Sequence, residues 1–273
     1  MTGLHVLVTN DDGVDAPGLD ALVRALSPLP DVHLTVVAPT TNQTGASGTI
    51  TTTEFDVEAA TTAGGHAATA VAGSPSDCVL FGLRQLFTEP PGLVVAGVNE
   101  GPNLADFVTM SGTVAAALAA ARLGVPALAV SAGLAPRMDY DAPARFAASL
   151  VARFRDDARV RSGMLLSGAR RTGIVLNVNF PPIPARGVRV LPLGRIADVT
   201  GYTRRAESGA RVTWEPVIVA GDITRVHHDS TFDAPASDLE AFNHGFVAVT
   251  PLVPDLTLAA ALERFGFVEE LKP

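Results

Sequence analysis

Leu4-His5-Val6-Leu7-Val8-Thr9 runs directly into Asn10-Asp11-Asp12-Gly13, and that junction decides the fold. The first six residues are β-prone and almost continuously apolar, as in parallel strands covered on both faces; the next four are turn formers. The same grammar repeats outward from it. A helix is expected from about Gly18 to Leu26, with Leu19, Leu22 and Leu26 on one face. Leu34–Ala38 reads as a strand closed by Pro39, and Ala67–Ala72 as another. A helix follows from Ser76 to Phe87. Leu93–Gly97 is a strand, Thr113–Leu123 an Ala-rich helix, Ala127–Ser131 a strand, Ala142–Arg155 a helix and Ile174–Val178 a strand. Strands alternating with helices imply βαβ units, hence an α/β fold with a mostly parallel, Rossmann-like sheet and helices on both faces. From about 187 to 228 the pattern breaks into a β-hairpin extension turning at Glu207-Ser208-Gly209-Ala210 and carrying the only tryptophan, Trp214. The chain returns through Phe246–Thr250 and ends in a helix near Leu256–Phe265. With no repeats and no low-complexity linker, residues 1–273 read as a single domain.

Composition bounds the function. The chain has 273 residues, 47% hydrophobic and 18% charged, which supports a sizeable core. A net charge of -8 argues against a nucleic-acid polymer as partner, because such binding needs a basic face. Aromatic residues, at 5%, are too few for single-strand stacking platforms. The only lysine is Lys272, so chemistry needing a buried lysine is excluded. One cysteine, Cys78, rules out an internal disulfide framework and reads as a small buried residue. No apolar run is long enough to span a bilayer, and the N-terminus has no basic segment ahead of an apolar one. A cytoplasmic protein that does not touch membranes is expected.

The polar motifs follow strands, so they belong on one edge of the sheet, where ligands of open α/β sheets sit. Asp11 and Asp12 repel one another unless a cation or water intervenes, and hard cations such as Mg²⁺ or Mn²⁺ take oxygen ligands. Without a cation the same residues would form a plain Asx-type turn with Gly13 at positive φ. Gly97-Val98-Asn99-Glu100-Gly101-Pro102-Asn103 offers close backbone approach and a neutral oxygen ligand in Asn99. Ser111-Gly112-Thr113 precedes a helix whose first amides suit a phosphate, although Ser or Thr there also serves as a cap. Pro39 to Gly48 is crowded with hydroxyls, and Gly73-Ser74-Pro75-Ser76-Asp77 is a further strand-to-helix turn. Together these features suit metal-assisted phosphate chemistry. The six histidines are poor ligand candidates: His227 and His228 are adjacent, and on a strand they face opposite ways.

At these motifs the chain resembles the SurE family, stationary-phase survival proteins that are metal-dependent 5'/3'-nucleotidases. The likeness also runs through Leu176-Asn177-Val178-Asn179-Phe180-Pro181 and Gly245–Leu252, in order along nearly the whole chain. It implies one divalent metal per subunit, Mg²⁺ or Mn²⁺, held by Asp11, Asp12, Asn99 and a hydroxyl from the loop after the second strand. The family's serine there aligns with Thr44, with Ser47 a competitor. Asn99, Asn103, Ser111, Gly112 and Thr113 would hold the substrate phosphate, and Asp11 or Asp12 would act on an attacking water. Ala119 and Ala120 stand where many members carry larger or charged residues. The hairpin and the segment from about 253 to 273 would pack on neighbouring subunits in a homodimer or homotetramer. There Arg195, Arg204 and Arg205 either approach an anionic substrate or remain solvated.

Other readings of the acidic pair are weaker. A receiver domain needs a lysine after a late strand. A haloacid-dehalogenase phosphatase needs aspartates two apart, and Asn10 stands two before Asp12. A dinucleotide site needs a Gly-x-Gly-x-x-Gly turn, which is absent. A nucleotide-binding regulator without turnover, or a phosphatase for another phosphorylated metabolite, remains the alternative.

Overall fold

The computed structural model describes residues 3–166, 171–195, 199–208, 211–218 and 234–255. Strands β1 (Leu4–Thr9), β2 (Val32–Pro39), β3 (Val57–Thr61), β4 (Ala67–Val71), β5 (Leu93–Glu100) and β6 (Ala127–Ala132) build the first part of the sheet. Two short strands, β7 (Leu165–Leu166) and β8 (Thr172–Gly173), pair apart from it. Strands β9 (Val175–Phe180), β10 (Val188–Val190) and β13 (Val247–Leu252) complete the main sheet, while β11 (Val199–Ser208) and β12 (Arg211–Ile218) form a separate hairpin. The main order is β10-β13-β9-β6-β5-β1-β2-β4-β3. The central pairs β2–β1, β1–β5, β5–β6 and β6–β9 are all parallel. The antiparallel pairs are β3 on β4 and β13 on β9. The mostly parallel sheet expected from the sequence is thus present.

Strand periodicity sorts the core into two layers. Val6 and Val8 join Leu19, Leu22 and Leu26 of α1 (Pro17–Leu26) and Val151 of α4 (Asp141–Asp156). Leu7 points the other way, toward Cys78 and Val79 of α2 (Pro75–Phe81) and the alanines of α3 (Gly112–Arg122). Ala119 and Ala120 are buried there; such small side chains let α3 lie close to the sheet. Cys78 is fully buried, and burial pushes its thiol pKa up, so it packs as an apolar residue rather than a reactive thiol.

Some expectations shift. The helix expected to reach Phe87 ends at Phe81 and continues as a wider π-type turn over Gly82–Leu86. The excursion expected from 187 begins later, because Val188–Val190 pairs parallel to β13 inside the main sheet. Edge strand β3, Val-Glu-Ala-Ala-Thr, is mostly exposed and lacks a marked alternation, so no periodic signal announces it. Helices α5 (Ala158–Gly163) and α6 (Asp238–Asn243) are too short to give one. The helix expected near 256–265 lies outside the described residues, as do His227 and His228. No helix among the described residues is long and apolar enough to cross a membrane.

Candidate active site

The chain leaves β1 toward β2 on one side, while β5 lies on the other, so a topological switch point falls between β1 and β5. Ligands of such sheets sit beyond the carboxyl ends of the strands at this point. Asn10 donates its side-chain amide to the Gly13 carbonyl at 2.7 Å, and Gly13 has φ +108°, a turn that suits glycine. The plain turn is therefore present, and it carries Asp11 and Asp12 past the strand end.

Asp11 is almost fully buried. Its Oδ1 accepts the Thr113 hydroxyl, joining β1 to the first turn of α3. Gly112 permits this approach: a Cβ there would lie 2.8 Å from both Cβ and Oδ2 of Asp11. Burial drives the Asp11 pKa up, and hydrogen bonds from Thr113 and nearby backbone amides offset only part of that. Asp12 is half-buried. Its Oδ1 accepts from Asn42 Nδ2 and its Oδ2 from the Glu100 backbone amide, each at 3.2 Å. Burial first, and then the Asp11 charge, push its pKa up to about 6.

Asn99 follows a register shift between Ala96 and Asn99 in β5, an irregularity of the kind that re-aims a side chain. Its Nδ2 donates to the Gly101 carbonyl at 2.7 Å, and its Oδ1 lies 3.4 Å from the Thr113 hydroxyl, beside Asp11. The loop after β2 is tied down by Gln43, whose amide donates to the Asp11 carbonyl at 2.6 Å, and by the Thr44 amide, which donates to Asn42 Oδ1 at 2.8 Å. Thr44 lines the same cleft as Asp11, Asn99 and Ser111. Ser47 instead donates to the Thr109 carbonyl at 2.6 Å and is not among the residues lining the cleft. Ser111 accepts the Val114 amide at 3.0 Å, so it does cap α3 while lining the cleft.

Asn103 also lines the cleft, but one of its amide hydrogens goes to Ser131 Oγ at 2.8 Å. Its backbone is clamped from β9: Asn177 and Asn179 both donate to its carbonyl, and Asn179 Oδ1 accepts its amide at 2.7 Å. These two asparagines and Ser131 carry a positioning role that motif reading did not assign. The signal was available, because Asn at i and i+2 places two amides on one face of an apolar strand. A second anchor is Asp238 of α6, buried, which accepts the amides of Ala105 and Gly194 at 3.0 and 2.7 Å. It holds the Ala105–Thr109 turn that carries Phe107 into the cleft.

The cleft encloses about 500 Å³ and has an apolar wall of Pro102, Phe107, Met110, Leu134 and Pro182. A second cleft of about 520 Å³ lies against α1, bounded by Asp20, Arg24, Arg137 and Tyr140. Its acidic side chains Asp20 and Asp141 are both engaged by Arg24. The turn at 73–77 is structural: Ser74 and Asp77 form a reciprocal cap on α2, and Asp77 also holds Thr51. Arg195, Arg204 and Arg205 are exposed, and Arg205 pairs with Glu215 within the hairpin.

The donor set suits a hard cation. Two neighbouring carboxylates are both held in settings that disfavour their charge, with a neutral amide oxygen and a hydroxyl beside them. Among the described residues no group of three or more His, Cys, Asp or Glu is arranged to hold a metal. This set needs only two carboxylates, the remainder being amide and hydroxyl oxygens.

Comparison with known proteins points the same way. The family model described as "Survival protein SurE" matches residues 6–202. The chain is 37% identical over 267 residues to a Photorhabdus laumondii protein named 5'/3'-nucleotidase SurE, covering 96% of this chain and 95% of that one. It is 36% identical over 267 residues to a Methylococcus capsulatus protein named 5'-nucleotidase SurE, covering 96% of each. The crystal structure of the SurE protein from Aquifex aeolicus superposes with a TM-score of 0.77 at 27% identity, covering 97% of this chain and 99% of that one.

Proposed function

The chain belongs to the SurE family, and on that premise we propose that it is a metal-dependent 5'/3'-nucleotidase, releasing phosphate from nucleoside monophosphates. The observation that carries this reading is the pair Asp11–Asp12 at the switch point, Asp11 buried and Asp12 half-buried, with Asn99, Thr44 and Ser111 lining the same cleft as Asp11. We assign one divalent ion per subunit, Mg²⁺ or Mn²⁺, to Asp11, Asp12, Asn99 and Thr44. When bound, the cation supplies positive charge for phosphate oxygens and a more acidic water.

The protein's own groups do the rest. Thr113 and the backbone around Gly112 orient Asp11. Asn42 and the Glu100 amide orient Asp12. One of these carboxylates takes the proton of the attacking water, which adds in line with the leaving nucleoside oxygen. Ser111, whose hydroxyl hydrogen is free of its capping role, donates to an equatorial phosphate oxygen, with Asn103 alongside. The apolar wall takes the nucleoside.

Among the described residues the β11–β12 hairpin makes no strand pairing with the main sheet, and it exposes Tyr202 and Trp214. With the family's habit of packing this segment on neighbours, these features support a homodimer or homotetramer, and the protein is assigned to the cytoplasm. The test is phosphate release from a panel of nucleoside monophosphates with Mg²⁺ or Mn²⁺, in wild type and Asp11→Asn. Turnover that needs the metal and Asp11 is expected. Intact metal binding without any phosphate release would instead make the protein a nucleotide-binding regulator.

A further inference from the structure

The parallel pairing of β1 with β2 sets His5 directly opposite His33, on one face of the sheet. Both side chains are exposed. Their ring centroids lie 5.1 Å apart, with the planes tilted by 41°. Each ring has a neighbour that helps to place it. Phe87 meets His5 in a T-shaped contact, centroids 6.4 Å apart. Gly3 sits beside His33, where a Cβ would come within 2.9 Å of Nε2. His5 lies near the start of β1 and Asp11 just past its end. At the rise of a strand the two are about 20 Å apart, so the histidine pair stands outside the hydrolytic scheme.

The spacing of the rings carries the argument. A cation bonded at about 2.0–2.1 Å to one nitrogen of each imidazole stands about 3.2 Å from each ring centre; a tetrahedral angle then sets the centres about 5.2 Å apart, and a right angle about 4.5 Å. The observed 5.1 Å matches the tetrahedral case. Imidazole suits zinc, copper and nickel, whereas Mg²⁺ and Mn²⁺ take oxygen ligands, and the tetrahedral preference singles out zinc. Among the described residues no third His, Cys, Asp or Glu joins the pair, so water would complete the coordination. We infer that His5 and His33 form a metal site for one zinc ion, bridging β1 and β2 at the end of the sheet opposite the catalytic cleft.

This inference does not depend on the nucleotidase reading. Its test uses the full chain without an affinity tag, in saturating Mg²⁺. Zinc is titrated by calorimetry into wild type, His5→Asn, His33→Asn and the double variant. Wild-type crystals soaked in zinc are read by anomalous diffraction at the zinc edge. An anomalous peak between the two rings is expected. Each single replacement should weaken zinc binding by at least about tenfold, the least that losing even a ligand-supporting group costs. Zinc should raise the melting temperature of wild type and not that of the double variant, because an ion held by both strands favours the folded state. Mg²⁺-dependent phosphate release should be the same in all four proteins. Equal zinc affinity in wild type and the double variant overturns the inference. So does an anomalous map with no peak at the pair, a result that does not depend on how the variants fold.

Discussion

Asp12 shows what a single side chain contributes before any ligand arrives. Its ordinary pKa of 3.8 rises to about 6 in the fold, through burial and then the neighbouring Asp11 charge. Between those values the folded protein holds more protons than the unfolded chain. Metal-free stability should therefore fall as pH rises from about 4 through about 6, with the cost present in full above that. Asp12→Asn should raise the melting temperature of metal-free protein near neutral pH and abolish the further rise that Mg²⁺ gives wild type; scanning fluorimetry with and without the ion checks both signs. Asp11→Asn should lower phosphate release by at least about 10²-fold with the circular dichroism unchanged. Gly112→Ala should cost activity through a different route, since its methyl would displace the Asp11 carboxylate. At this scale the sequence was informative: Asp11 and Asp12 just past β1, Asn99 at the end of β5, and Ser111 and Thr113 at the start of α3 come together at one edge. It was silent on the hydrogen bond from Tyr140 to Glu100, because a lone acid and a lone tyrosine 40 residues apart carry no pattern.

Elements position these groups, and strand β9 is the clearest case. Its two asparagines clamp the backbone of Asn103 across the sheet edge, replacing water for groups that would otherwise be buried unpaired. Asn179→Ala removes both partners it offers and should destabilise the protein by roughly 1–3 kcal/mol. It should also raise KM for nucleotides more than it lowers kcat, since Asn103 is displaced while the carboxylates stay; denaturant titration and steady-state kinetics read the two effects. Helices and strands with long periodic patterns, such as α1 and β1, were legible within a residue or two. Elements held by tertiary contacts were not: Val188–Val190 is too short to reveal that it joins the main sheet beside β13, and α6 gains its role from a single buried aspartate.

For the whole molecule, the two core layers are built, among the described residues, from side chains outside β11 and β12. Replacing Trp214 and Tyr202 together by serine should therefore leave the fold and its melting transition largely in place while shifting the mass measured by light scattering toward the monomer. Fold class followed from strand–helix alternation, which a parallel sheet imposes over long stretches of chain. Assembly did not, because exposed aromatics on a hairpin specify a sticky face and not its geometry.

The Thr113–Asp11 hydrogen bond joins residues 102 apart, and the Glu100–Asp12 bond joins residues 88 apart. No early-folding fragment can own this cleft. The strands must first find their neighbours, and the loops at their ends meet only afterward, so cation affinity belongs to the late side of the folding barrier. Mg²⁺ should then slow unfolding in stopped-flow experiments while barely altering the refolding rate. A chain still emerging from the ribosome would accordingly be inert toward the nucleotide pool around it, gaining hydrolytic power only once its architecture has closed.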